Sequence, residues 1–562
     1  MSQQTGPAQE GPTRTGGRLL VESLLAHNPP LWTCVPGESF LPILDALIDP
    51  SNDGTAKLVT TRHESAAGNM AEAAGKLTGR PAVCLVTRGP GATHASIAVH
   101  TAHQDGTPLI LIVGQVPRAH LRREAFQEMD YRAVFGSFAK DVVEIMEADR
   151  IPEHVAHAVH TSMSGRPGPV VLVVPEDVLD APTPARPTRA AVATSPPICA
   201  SDWNTLRTEL AAARRPCLVV GGPGWSTPAA AQVAAFAERN QVPVVTPFRW
   251  QDAIDNTSPS FAGYLGLGCS PRLRQLLTSA DLVVALGPRL DDPTTGGYAF
   301  PSPESRLVTV SRSRDELGRF PLPDVAIHAD PASACERLEG AVLDDLPERV
   351  AWYNELRAQQ VEFSTPPRGA ETSRQGVDLT LVVRHVRDSV PDDSVITNGA
   401  GNYTVWVQRF FGYRDFGTQL APRNGAMGYA LPAGLAAAQL HPERVVVTFA
   451  GDGCFLMSGS ELATAVRHGL RLIVIVVNNS MFGTIRMHQE RRFPGRAIAT
   501  DLTNPDFVAY AESFGALGVR VTDTVDFPDV FKRALDYNGP ALIEIVTDPE
   551  QITPDQRITT VG

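Results

Sequence analysis

A chain of 562 residues is too long for a single core and predicts three to four domains. Its formal net charge of −12 argues against a general nucleic-acid or anionic-membrane surface, and no apolar run reaches the ~20 residues needed to span a bilayer. Seven scattered cysteines, odd in number and without Cys-x-x-Cys spacing, argue against a disulfide framework or a zinc site and predict reduced thiols in a cytoplasmic protein.

Residues 1–16, "MSQQTGPAQEGPTRTG", read as a polar, disordered tail without a signal-peptide core. From 17 to 183 the strand-like runs "PAVCLVT", "PLILIVG" and "PVVLVVP" alternate with helical stretches. Asp180 to Pro197 is a Pro/Ala/Thr-rich linker. A second block, 198–345, repeats the alternation with "PCLVVGG", "VPVVTP" and "DLVVALG". Its glycine cluster "VVGGPGW" is too common a feature after a strand to define a nucleotide site by itself. A polar region, Glu362 to Gly376, precedes the third block, 376–550, which ends on "PALIEIV". The expected architecture is therefore α/β, three doubly wound parallel-sheet domains. The first and third blocks share a size and a strand-helix rhythm.

The third block carries the most specific motif, "FAGDGCFLMSGSELATAVRHGLRLIVIVVNNSMFG", Phe449 to Gly483. A β-branched run precedes Gly451, "SELATAVRHG" has helical spacing and a glycine stop, and "LRLIVIVV" leads into Asn478 and Asn479. A right-handed crossover makes the two strands parallel, so Asp452 and Asn479 both emerge at carboxyl ends, where open α/β sheets bind ligands. Gly451 and Gly453 let backbone amides approach an anion, and Asp452 and Asn479 offer hard oxygens of the kind magnesium prefers. A magnesium diphosphate is the simplest occupant.

With "TTRHESAAGNMAEAAGKLTGR" and "NGAMGYALPAGLAAA", this motif resembles the thiamine-diphosphate-dependent enzymes of the acetolactate synthase and pyruvate decarboxylase superfamily, in family order over nearly the whole chain. The resemblance implies a pyrimidine-binding first domain, a central domain and a diphosphate-binding third domain, with the cofactor shared between subunits of a homodimer or homotetramer. It implies that Asp452, Asn479 and the Met481 carbonyl hold Mg²⁺. Gly451, Gly453, Cys454, Gly401 and Asn402 would surround the diphosphate, and Met427 would prop the cofactor into its bent shape. Glu64, which follows His63 and opens a helical stretch, would pair with the pyrimidine ring nitrogen. Acetolactate synthases have a Gln-His pair where this chain has Gly401 and Asn402.

The branch is read from "TRGPGATHASIAVHTAHQDGTPLILIVGQVP" and "EAFQEMDYRAVFGSFAK", which resemble the acetolactate synthases. There the resemblance makes Gln127 a hydrogen-bonding group of the active site beside Phe126, and puts Lys140 at the substrate entrance. Arg166 and Arg289 match positions at the FAD or the access channel. The departures are Glu38 in "CVPGESF", where decarboxylases carry an acid, and His488, where acetolactate synthases carry the tryptophan that shapes acceptor choice. "GYLGLGCSP" stands in place of a Met-His pair near the flavin, which counts against FAD. The expected activity is decarboxylation of a pyruvate-like 2-oxo acid with transfer of the acyl-anion equivalent to a carbonyl acceptor, with Glu64, Gln127 and Glu38 as catalytic groups. The alternatives are a plain decarboxylase or carbon-carbon lyase and, from another class, a catalytically silent regulatory or scaffolding homologue.

Overall fold

The computed structural model describes residues 14–190, 194–366 and 375–558. The chain divides between Ala193 and Thr194 into two compact units, the first holding one six-stranded parallel sheet and the second holding two. The expected tail through residue 16 falls outside the described residues except at its end. There Arg14–Thr15 is instead a short strand paired antiparallel with Pro182–Thr183, and Gly16 opens the first helix.

In the first unit the strands lie in the order Leu58–Thr60, Trp32–Cys34, Ala82–Val86, Leu109–Gln115, Pro169–Pro175, Asp141–Glu144. Every residue of Ala82–Val86, Leu109–Gln115 and Pro169–Pro175 is buried, as expected where helices cover both faces of a parallel sheet.

The central sheet runs Phe261–Tyr264, Val244–Thr246, Pro216–Val220, Leu282–Leu286, Arg306–Ser311, Val325–His328. Alternate residues of its middle strands feed two separate cores. Leu218, Val220, Val284 and Leu286 enter one, and Cys217, Val219, Val283 and Ala285 the other, which is the period-two signature of a doubly wound layer. Helix Pro347–Ser364, beyond the expected boundary at 345, belongs to this layer: Trp352 Nε1 donates to the Pro216 carbonyl at 2.9 Å and Leu356 enters the second core.

The third sheet runs Gln419–Leu420, Val395–Asn398, Val446–Gly451, Ile473–Asn478, Ala541–Val546, Leu517–Val521. Numbered along its own domain, this order is identical to that of the first sheet, which gives a topological basis to their shared rhythm. The predicted crossover is present. Val446–Gly451 pairs in parallel with Ile473–Asn478, Gly451 facing Val477, and helix Leu462–Arg467 ends before Gly469 in the left-handed region. Asp452 also begins a short helix, Asp452–Leu456, which the sequence pattern did not suggest.

Within the second unit, the central and third domains are joined by buried charge. Asp252, 4% exposed, accepts the backbone N–H groups of Gly417, Thr418 and Gln419 at 3.0, 3.0 and 3.1 Å. Arg423 donates to Asp291 at 2.5 Å. Burial opposes ionisation of Asp291, but Arg423 and Thr294 outweigh it, so its pKa lies below the ordinary 3.8. A lowered carboxylate pKa means that the stabilisation is fully present above the ordinary Asp range and is lost as pH falls through the folded-state value. Asp291→Ala removes the carboxylate that faces the buried Arg423 and is expected to lower the unfolding free energy by about 3 kcal/mol. Thermal melts at neutral and acid pH check this: the gap between mutant and wild type should shrink towards acid.

Candidate active site

In the third domain a cavity of about 270 Å³ opens at the carboxyl ends of the strands Val395–Asn398, Val446–Gly451 and Ile473–Asn478. Its lining includes Gly401, Asn402, Met427, Gly451, Asp452, Gly453, Cys454, Asn479 and Met481, so the residues expected around a diphosphate and its metal are brought together. His488 is not among them; it is exposed on helix Gly483–Arg492, and Thr484 and Ile485 of that helix face the cavity instead.

Asp452 is 2% exposed. Burial raises its pKa, against the opposing pull of Asn504 and the N–H groups of Gly453, Ser480 and Met481. One carboxylate oxygen accepts from Gly453 N–H and the other from Asn504 Nδ2, each at 2.8 Å. Asn504 also donates to Asn478 Oδ1 at 3.0 Å, and Asn478 Nδ2 donates to Glu544 at 2.8 Å. The two asparagines of the motif therefore divide their work: Asn478 braces the strand end, while Asn479 faces the cavity with Oδ1 accepting from Met481 N–H at 3.3 Å. Asn504 escaped the sequence reading because it lies in the unremarkable stretch "DLTNPDF", far from the motif it completes.

Close packing explains the glycines. A methyl on Gly453 would stand 2.6 Å from the Phe482 ring, and one on Gly399 would stand 2.5 Å from Cys454 Sγ. Cys454 in turn accepts from Gly428 N–H at 3.3 Å and from the Tyr403 hydroxyl at 3.8 Å, tying together three segments of the third domain. Asn402 accepts from Thr484 Oγ1 at 2.9 Å. The donor set suits a hard cation with a diphosphate: an anionic carboxylate, an amide oxygen and a backbone carbonyl, and the buried acceptor Asn504 Oδ1 has no hydrogen-bond partner among the described residues.

In the first unit, Glu38, Glu64 and Arg88 follow the strands Trp32–Cys34, Leu58–Thr60 and Ala82–Val86, so all three stand at carboxyl ends. Glu64 starts helix Glu64–Thr78, capped by His63 through its ring nitrogen and Ser65 N–H at 3.1 Å. Its carboxylate is 2.9 Å from His94 Nδ1. Glu38 is solvent-facing and 3.7 Å from Arg88. Arg88, not singled out from sequence, is the buried hub here; it also pairs with Glu176 and donates to the Phe126 carbonyl at 3.3 Å. Gln127 adopts a φ of +65°, and its backbone sits so close to Gly89 that a methyl there would be 2.8 Å from the Gln127 carbonyl oxygen. The Phe126 side chain is 75% exposed.

Lys140 does not join this group. It precedes strand Asp141–Glu144, at the opposite edge of the sheet, and its ammonium donates to the carbonyls of Ser164 and Arg166 at 2.6 and 2.9 Å. Arg166 in turn bonds the carbonyls of His103 and Gln104 at the end of helix Pro90–Asp105, a structural use. Arg289, in the second unit, lies 3.6 Å from Glu316.

The paired topologies and the carboxylate-asparagine cavity define a thiamine-diphosphate fold, and the chain belongs to that family. It matches the N-terminal TPP binding domain, central domain and C-terminal TPP binding domain of the thiamine pyrophosphate enzymes over residues 14–134, 204–338 and 399–545. Within the family it is acetolactate-synthase-like. It is 32% identical over 544 residues to the acetolactate synthase large subunit of Parasynechococcus marenigrum, covering 95% of this chain and 87% of that one. It is 30% identical over 543 residues to the acetolactate synthase isozyme 1 large subunit of Escherichia coli, covering 96% and 94%. The chain is thus a thiamine-diphosphate-dependent enzyme.

Gly453→Ala should force the Phe482 ring out of place and weaken thiamine diphosphate binding about tenfold or more. Titration calorimetry checks this, and the double variant Gly453→Ala with Phe482→Leu should recover much of the affinity.

Proposed function

We propose that the protein decarboxylates a pyruvate-like 2-oxo acid and transfers the acyl-anion equivalent to a carbonyl acceptor, using thiamine diphosphate and Mg²⁺. The observation that carries this reading is the cavity around Asp452, Asn479 and Met481, whose oxygen donors and glycine-lined walls suit a metal diphosphate. Bound thiamine diphosphate supplies the electron sink that lets the 2-oxo acid lose CO₂. The protein's own residues do the rest. Asp452, Asn479 and the Met481 carbonyl hold the metal; Met427 and Cys454 shape the cavity; Glu64 handles the pyrimidine proton.

Gln127 offers a hydrogen-bonding amide to substrate, and Phe126, Arg289 and His488 stand as access-channel or acceptor groups. The resemblance that singles out Glu64 also implies a homodimer or homotetramer with sites shared between subunits. The free cysteines accord with a cytoplasmic location, and no helix among the described residues is long and apolar enough to cross a membrane. A plain decarboxylase or lyase is the second reading, favoured by the solvent-facing carboxyl of Glu38 beside Arg88, which can deliver a proton where a carboligase needs a carbonyl acceptor. FAD is not needed for either.

A screen of 2-oxo acids for CO₂ release, with and without acceptor carbonyl compounds, tests the activity; no turnover of any 2-oxo acid would overturn it. Asp452→Ala should abolish Mg²⁺-dependent cofactor binding by calorimetry while leaving the thermal midpoint nearly unchanged. Glu64→Gln should bind cofactor but slow hydrogen-deuterium exchange at the thiazolium carbon by ~10²-fold or more, the scale of a lost acid-base group. Glu38→Gln should shift the ratio of aldehyde to carboligation product, read by chromatography, without loss of cofactor affinity.

A further inference from the structure

Helices Glu64–Thr78 and Pro90–Asp105 pack through small residues: a methyl on Gly68 would stand 2.5 Å from the Ala98 methyl, and one on Gly91 would stand 3.4 Å from Glu64 Oε1. This approach sets their first turns side by side. His94, one turn into the second helix, meets Glu64 Oε2 through Nδ1 at 2.9 Å. An ionised carboxylate only accepts, so Nδ1 then carries the proton. The His63 ring stacks on His94 at 4.5 Å with an interplanar angle of 29°. Its own Nδ1 accepts from Ser65 N–H at 3.1 Å, which fixes it as a floor beneath His94. The side chain of Glu64 is 13% exposed, that of His94 51%. One imidazole therefore spans the distance from a sheltered carboxyl to water.

We propose that His94 is a positioning residue for Glu64 and the route by which the Glu64 proton equilibrates with solvent, an inference that rests on the reading of Glu64 given above. In the exchange the O–H bond of the Glu64 carboxylic acid breaks and an N–H bond forms at His94 Nδ1; the Nε2 proton then leaves to water. No electrons are transferred. The reverse sequence reloads Glu64. His94 also engages Oε2, which leaves Oε1 as the oxygen available to a second partner.

The side chains of His63, Glu64 and His94 bring three ligand atoms within 4.8 Å of one another, the makeup of a metal site. Near-parallel rings, however, direct their in-plane nitrogen lone pairs side by side, whereas a metal requires them to converge. Nδ1 of each histidine is already committed, to Ser65 and to Glu64. His63 stacks on His94 and Cys84 interacts with Glu64; burial pushes the Cys84 thiol up to about 12, so it stays neutral through the imidazole range.

The test compares wild type, His94→Asn, His94→Phe and Glu64→Gln as holoenzymes, measuring thiazolium hydrogen-deuterium exchange across about pH 5 to 9, which brackets the imidazole range. His94→Phe should slow exchange about tenfold, less than loss of the acid-base group itself, and flatten its pH profile. His94→Asn should recover part of the rate but not the profile. Cofactor affinity should stay within about threefold in both. A second readout needs no cofactor: in the ¹⁵N spectrum of neutral imidazole, His94 should carry its proton on Nδ1 in wild type and on Nε2 in Glu64→Ala. Unchanged exchange rate and pH profile in both His94 variants, or one tautomer in both proteins, would overturn the proposal. Wild-type exchange in Glu64→Gln would instead overturn the role of Glu64 itself, so the two failures are distinguishable.

Discussion

A carboxylate kept out of water at the end of a strand is the constraint around which the cavity of the third domain is arranged. Asp452 is buried and its pKa is raised, so the fold holds an anion that it would prefer to neutralise. The surroundings answer this with N–H donors: Gly453 from the helix that starts on the carboxylate, and Asn504 from a separate loop. Asn504 is itself held by Asn478, and Asn478 by Glu544, whose other oxygen meets Arg520 at 2.6 Å. A chain of polar contacts thus runs from the sheet edge to the cavity floor. A divalent cation there would relieve the buried charge directly, which is the physical reason such a site and a metal diphosphate belong together.

The first domain solves a different problem with different residues. Under the role proposed for Glu64, a proton must pass to and from its carboxyl group, and the fold sets an imidazole beside it rather than a set of fixed amides. Small residues make this feasible. Gly68, Gly91 and Ala98 let two helices approach until a side chain from one reaches the first residue of the other. Larger residues at Gly68 or Ala98 would push the helices apart, and one at Gly91 would press on Glu64 itself.

The fold class was legible because the signal was periodic. Long β-branched runs alternating with helical stretches can satisfy their burial only as covered parallel strands, and the crossover from Gly451 to Asn478 followed from handedness alone. The cavity residues were legible where chemistry is concentrated in a short motif, as at Asp452 and Asn479. Residues brought in by tertiary folding were not. Asn504, Arg88 and His94 act from segments with no pattern of their own, and nothing in "GATHAS" announces a partner thirty residues upstream. For Lys140 the resemblance suggested an entrance group; the fold sets it ahead of the edge strand Asp141–Glu144, with its ammonium donating to two carbonyls. The expected end of the central block is 345, yet helix Pro347–Ser364 packs on the central sheet through Trp352 and Leu356.

The Asp252 carboxylate has a bearing on how the chain is made. It satisfies three successive N–H groups leading into Gln419–Leu420, one of the two edge strands of the third sheet, groups that would otherwise be open to pairing with another chain. Asp252 precedes Gly417 by 165 residues. During synthesis from the N-terminus, the central domain emerges first, and so the cap is in place before the strand it covers leaves the ribosome. That edge of the last domain therefore meets its cap as soon as it emerges.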